Sequence, residues 1–385
     1  MESNYYNEAP AAGMQYYVSS EVTNIKLTNP VIKDDRFSKH VSYTISGEDN
    51  KGPFEAQRRY KEFNALQNLL SQQWPGCILP QIPEKKAIGN LQENFIEKRR
   101  KLLQAFLLKA CNLSFIYHSQ EFQSFIRGPA DFLKISKDFK IDSNLQILEK
   151  YQQNFPYSQS KQESDDVDNQ LEDSMKYFKA SIEGLESFAG ACSESVNSFE
   201  QYAKQTSMML YGIKDINTFY SQKFNVREIN LEIREECTNP YQILLDWSQS
   251  EVLDLKGIIL AIGKRFDYVK MRNRAQEKVE EEKKQLVKAQ AGKGGWNILK
   301  KETKEQKISK AENAIVEAQK ELDTIKTIEH IINIQLAMED IPRIKQEKAE
   351  KYEEVLKMFI NSSVEEFESL IQQARNIDFL YTFTN

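Results

Sequence analysis

The 385-residue sequence predicts two unlike parts: a small α+β domain with an antiparallel sheet and helices, then an all-α, elongated three-helix coiled-coil bundle. Three observations predict them. Alternating apolar residues at Val41, Tyr43 and Ile45, then Phe54 and Ala56, have the period of half-buried strands. That pattern runs straight into a helical spacing at Phe63, Leu66, Leu69 and Leu70. From Leu171 the chain changes character, and Met175, Phe178, Ile182, Leu185, Ala189, Cys192, Val196, Phe199 and Ala203 continue a step of four and three. A seam with that step is the heptad of packed helices.

In chain order, residues 1–14 are polar and read as a flexible tail. Residues 15–56 supply three strand candidates, broken at Asn29-Pro30, at Gly47-Glu48-Asp49-Asn50 and at Gly52-Pro53. Helices follow over about 63–73, 94–110 and 120–127, the last stopped by Gly128-Pro129. The first domain therefore spans 15–130. Residues 131–168 are a linker, and Phe132, Ile135, Phe139, Leu145 and Leu148 interspersed with lysines permit an amphipathic helix there. Such a helix could lie on a membrane or dock between the two domains.

Residues 169–385 are the helical region. A second long helix begins near Asn239-Pro240, with Val252, Leu255, Ile259, Ile262, Phe266 and Val269 on its seam. The Gly-rich stretch Gly292-Lys293-Gly294-Gly295-Trp296 ends it. A third runs from about Ile298 to Asn376, with Pro342 expected to kink it. Seventy-odd helical residues would reach ~100 Å at 1.5 Å each, longer than one globular core requires. Apolar residues beyond the seam, such as Tyr352, Val355, Phe359 and Phe367, exceed what three helices can cover, so the region is expected to dimerise.

Composition excludes several classes. The net charge of −5 argues against general nucleic-acid binding. The longest apolar runs fall short of a membrane span, and neither a signal-peptide nor a myristoylation pattern opens the sequence, so any membrane contact is expected to be peripheral. Cys77, Cys111, Cys192 and Cys237 lie far apart and read as reduced, mostly buried thiols. His40, His118 and His330 are equally scattered; no metal-ligand spacing, phosphate-binding Gly loop or nucleophile elbow occurs. The expectation is a protein without catalytic residues, metal or cofactor.

The binding chemistry gathers elsewhere. Arg58-Arg59-Tyr60 at the strand-to-helix junction is expected to hold two guanidiniums and a ring face at the domain surface. Arg grips phosphate bidentately, and an aromatic face carries a sugar-like ring. Leu79-Pro80-Gln81-Ile82-Pro83-Glu84-Lys85-Lys86 is a proline-stiffened loop ending in a lysine pair, and the helix from Phe95 carries Arg99. These elements, RRYxxF, then PxxPxK, then EKRxxxLxxFL, resemble the PX (phox-homology) domain, a phosphoinositide-binding module, over about Gln15 to Arg127. The resemblance implies that Arg59 holds the inositol 3-phosphate, Tyr60 stacks under the ring, Lys85 meets the 1-phosphate and Arg99 bonds the ring hydroxyls. Few residues separate the lysine pair from Asn90, so Ile88 implies only shallow insertion.

Charge is segregated along the helices. Lys264 to Lys310 holds fifteen Lys/Arg against seven Asp/Glu, whereas Gln162 to Glu200 holds two against ten. The basic half centres on the hairpin between the second and third helices, with Lys283, Lys284, Lys288, Lys293, Trp296, Lys300, Lys301 and Lys304 as candidate membrane contacts. A PX domain followed by three heptad helices resembles the sorting nexins that carry a C-terminal BAR domain. That resemblance implies a crescent-shaped homodimer, or a heterodimer with a related sorting nexin. It would be cytoplasmic and peripheral on endosomal membranes rich in phosphatidylinositol 3-phosphate, sensing or generating curvature in protein transport. A retromer-like coat is a further partner left open. The rival reading is a coiled-coil scaffold whose PX-like domain binds protein instead of lipid.

Overall fold

In the computed structural model, described for residues 23–35, 38–85, 91–128, 131–156, 161–224, 233, 238–291 and 303–378, the first strand does not end at Asn29-Pro30. β1 (Thr23–Asp35) runs through it. Asn29 takes a left-handed backbone with φ 50°, and the pairing slips between Thr28 and Val31. Asn tolerates that conformation and Pro needs no ladder partner for its nitrogen, so the dipeptide makes a bulge instead of a break. β2 (Ser38–Asp49) and β3 (Gly52–Arg59) complete a three-stranded antiparallel sheet of order β1-β2-β3. The turn between them falls after Asp49, and Gly52 carries φ 95°.

Period-two alternation sends Phe54, Ala56 and Arg58 of β3 inward. Helix α1 (Tyr60–Gln73) follows without a loop and buries Phe63, Leu66, Leu69 and Leu70. α2 (Glu93–Asn112), α3 (Ser114–Tyr117) and α4 (Gln120–Arg127) close the core. Phe63 and Phe125 meet edge-to-face at 4.9 Å, and Phe125 meets Phe132 of α5 (Phe132–Ile135) at 5.0 Å. These rings are fully buried.

Beyond it lie α6 (Asn144–Asn154), α7 (Val167–Phe224), α8 (Tyr241–Gln290), α9 (Lys304–Asn333), a π-helical segment (Ile334–Asp340) and α10 (Ile341–Asp378). The third long helix expected from the sequence is thus not one continuous α-helix. Pro342 cannot donate a backbone hydrogen bond and its ring crowds the carbonyl four residues back; the wider π turns directly precede it. Among the described residues no helix is long and apolar enough to cross a membrane. The cysteines Cys77, Cys111 and Cys192 are free and buried; Cys237 lies outside the described residues.

Two compact units emerge, and neither is continuous in sequence: Met1–Phe178 with Leu253–Arg343, and Lys179–Val252 with Ile344–Asn385. In the first unit the sheet domain packs on α6, α8 and α9. Trp74 stacks on Tyr151 of α6 at 6.0 Å, and the Tyr151 hydroxyl donates to the Pro75 carbonyl. Lys150 donates to the Gln73 carbonyl at 2.8 Å. Gly76, with φ 84°, sits so close to α9 that a Cβ would come within 2.8 Å of Ile332. α6 buries Ile147 and Tyr151 in this packing, while Leu145 stays exposed.

The helix seams follow the sequence with one substantive departure. Leu171, Phe178, Cys192 and Val196 are buried on α7, as are Ala318, Leu322 and Ile325 on α9. On α8 the expected seam residues Val252, Leu255 and Ile262 are buried, whereas Ile259, Phe266 and Val269 are only half-buried and Ile258, Arg265 and Tyr268 are buried beside them. Arg265 counts with the basic run by sequence, yet it is 2% exposed. It bonds Asn333 Oδ1 and Asp168 Oδ1, each at 2.5 Å, and so neutralises its charge inside the unit.

The second unit is held by aromatic pairs: Phe188 with Trp247, Trp247 with Tyr352, and Tyr241 with Phe199 and Phe359. On α10, Ile360, Val364, Phe367 and Ile371 are each half exposed. Their spacing of four, three and four puts them in one stripe.

Candidate functional site: a basic aromatic pocket beside the sheet

The site forms where β3 passes into α1. Because the β3 pleat turns Arg58 inward, Arg59 must face the opposite way, and it is half-buried. This corrects the expectation of two surface guanidiniums. Arg58 is wholly buried: its Nε donates to the Phe125 carbonyl at 2.8 Å, and Nη2 to the Gly128 carbonyl at 3.0 Å. Its carbon lies 5.4 Å from the centre of the Phe125 ring. It is a structural clamp on α4, and Arg59 alone remains for a ligand.

Glu62 fixes the junction. Its buried carboxylate accepts from the Arg59 backbone at 2.9 Å and from the Phe132 backbone at 3.0 Å. The chain therefore enters α1 in one orientation, with Arg59 and Tyr60 side by side at the helix start. The Asp131 carboxyl is held below its ordinary value, chiefly by Lys134 and in small part by the Arg59 charge.

Arg99 is the other pole. It lies on α2 one turn after Phe95, so both side chains share a face. Its guanidinium carbon is 4.2 Å from the Tyr60 ring centre and 4.3 Å from that of Phe95. The side chain is 93% buried, and its Nε has no partner. Burial pulls its pKa below the ordinary value, while neighbouring Tyr43 and Tyr60 oppose that. A planar cation held against two rings keeps its fork orientation, and its buried Nε–H is left without a hydrogen-bond partner.

The proline loop closes the third side. Tyr60 donates its hydroxyl to the Pro83 carbonyl at 2.6 Å, and Arg99 Nη2 reaches the Glu84 carbonyl at 3.4 Å. Gln67 accepts from the Ile82 backbone at 3.1 Å. Lys85, next along, is exposed. The structure thus brings Tyr60 and Arg99 into contact and sets Arg59 and Lys85 beside their partners by chain adjacency. Ile88 lies outside the described residues. Sequence reasoning missed Phe95, although its i, i+4 relation to Arg99 was available.

The second set of candidates sits at helix ends. Lys283, Lys284 and Lys288 are exposed near the end of α8, and Lys304 is exposed at the start of α9. Lys283 pairs with Glu280 at 3.0 Å. Lys293, Trp296, Lys300 and Lys301 lie outside the described residues. Among those described, no group of His, Cys, Asp and Glu could hold a metal ion.

The PX domain family model matches residues 47–128. The vacuolar protein sorting-associated protein vps5 of Schizosaccharomyces pombe is 37% identical over 91 residues, 22% of this chain and 16% of that protein. The vacuolar protein sorting-associated protein 5 of Saccharomyces cerevisiae is 31% identical over 116 residues, 29% of this chain and 17% of that one. This chain thus covers less than a fifth of the length of these relatives. Sorting nexin-4 of Saccharomyces cerevisiae aligns over 89% of both chains at 22% identity. The cryo-EM structure of the SNX-BAR Mvp1 tetramer aligns with 93% of this chain at 13% identity and a TM-score of 0.49.

Proposed function

We propose, from the premise that this chain carries a PX domain and a BAR-like helical region and is a relative of the sorting nexins, that it binds a 3-phosphorylated phosphoinositide on endosomal membranes. There it senses or generates curvature during protein sorting. The observation that carries this reading is the Arg59–Tyr60–Arg99 pocket: a buried guanidinium between two rings, with an N–H left open beside a second, accessible arginine.

Each residue has a chemical task. Arg59 meets the 3-phosphate with a bidentate fork, and Lys85 meets the 1-phosphate as a mobile point charge. Tyr60 offers the inositol ring an apolar face, and Arg99 donates to ring hydroxyls from a fixed position. No proton or electron moves; the work is recognition. The exposed α10 stripe of Ile360, Val364, Phe367 and Ile371 receives a second copy or a related sorting nexin. Two pockets on one membrane then act by avidity. The lysines at the end of α8 and the start of α9 add attraction to anionic lipid.

Cosedimentation of the full chain with vesicles containing phosphatidylinositol 3-phosphate, other phosphoinositides or phosphatidylserine alone tests the reading. Selective pelleting with the 3-phosphate lipid is expected. Equal pelleting with phosphatidylserine alone would overturn the pocket's role.

A further inference from the structure

One turn of helix α8 touches the lipid-pocket loop from behind. A Cβ on Gly257 would stand 2.6 Å from the Leu79 carbonyl oxygen and 3.5 Å from the Gln81 side chain. Lys256 Nζ donates to the Glu84 carboxylate at 2.9 Å, and Asp254 pairs with Lys109 of α2 at 2.5 Å. All of these residues belong to the first compact unit. Glycine is a poor helix former, and here its missing side chain is what lets the loop backbone sit against the helix.

The same short loop carries the carbonyls that hold the pocket. Leu79 rests on α8; four and five residues on, Pro83 accepts from Tyr60 and Glu84 accepts from Arg99. Pro80 and Pro83 fix two of the backbone angles between these points. Leu79 and Ile82 are buried, so the loop has little freedom to absorb a push at one end. Displacement at Gly257 is therefore passed to the ring and guanidinium that face the ligand.

We infer that the Asp254–Gly257 turn of α8 is a positioning element of the phosphoinositide pocket, so that head-group affinity depends on the helical region and not on the PX domain alone. This rests on the lipid-pocket reading above. Gly257 and Asp254 touch no ligand; they act through Leu79–Glu84 and through α2.

The test is calorimetry on the full chain with water-soluble dibutanoyl phosphatidylinositol 3-phosphate, which removes avidity and curvature from the measurement. Gly257→Ala should weaken binding about tenfold, the scale seen when supporting contacts behind ligand-binding groups are disturbed. Gly263→Ala, on the same helix with nothing within 4 Å of its Cβ, should bind like wild type. Asp254→Lys provides a second variant. It repels Lys109 and loosens the docking while adding positive charge, so simple attraction of the anion would raise affinity, whereas the positioning role lowers it. Wild-type affinity in a folded Gly257→Ala variant overturns the inference. If that variant does not fold, unchanged or raised affinity in Asp254→Lys overturns it. A wild-type chain that ignores the soluble lipid overturns the pocket reading itself, a separate result.

Discussion

Arg58 and Arg59 are adjacent in sequence and opposite in duty: the first is wholly buried on the carbonyls of Phe125 and Gly128, and the second is half-buried beside Tyr60. Their separation comes from the pleat of β3 alone. Arg58→Ala should cost about 3–5 kcal/mol of stability, since it strands buried carbonyls and empties a large volume. Arg59→Ala should leave unfolding nearly unchanged and cost about 2–4 kcal/mol of head-group binding. Denaturant titration alongside calorimetry separates the two. Parallel losses in both assays would mean the assignments are wrong.

Arg99 should tolerate lysine poorly. An ammonium cannot lie flat between Tyr60 and Phe95, so Arg99→Lys is expected to lose most of the affinity that Arg99→Ala loses. Both losses should be smaller than for Arg59→Ala. Binding curves with the soluble lipid decide the order.

The α10 stripe predicts a division among aromatic substitutions. Phe359 meets Tyr241 within its own unit at 5.7 Å, whereas Phe367 is 52% exposed. Phe367→Asp should lower the mass in light scattering while leaving helicity unchanged. Phe359→Asp should lower the unfolding temperature first. A chain that is monomeric at micromolar concentration before any substitution would remove the need for the stripe.

Reversing Lys283, Lys284, Lys288 and Lys304 to Glu should abolish vesicle tubulation and leave soluble head-group binding intact. Each lysine near an anionic surface is worth about 1 kcal/mol. Raising salt should weaken wild-type docking as the screening length falls below ~8–10 Å. Tubules unchanged in the reversed chain would assign these lysines to a solvated face.

Most of this fold was legible because local period and burial agree. The four-three seam of α7 and the period-two strands needed no tertiary information. Arg58 was misread because a basic pair looks like surface until the strand's phase is fixed by Phe54 and Ala56. Asn29-Pro30 was misread because a breaker dipeptide and a bulge share one sequence signature. The burial of Arg265 has no local signal, because its partners, Asp168 and Asn333, are distant in sequence. In the pocket, the motif spacing singled out Arg59, Tyr60, Lys85 and Arg99, of which the structure brings Tyr60 and Arg99 into contact. The turn of α8 behind the loop carried no motif, since a close approach between backbones is signalled only by a glycine.

The discontinuity of the first unit has a consequence in time. Glu84 and its α8 partner Lys256 are 172 residues apart, and Asn333 and its partner Glu163 are 170 apart. At about 5–20 residues per second, a ribosome delivers the second member of each pair roughly ten to thirty seconds after the first. Throughout that interval the sheet domain exists with Leu79 and Gly76 still awaiting the helices they rest on, α8 and α9. The nascent chain therefore passes through a state in which the pocket motif is complete and its support has not yet been made.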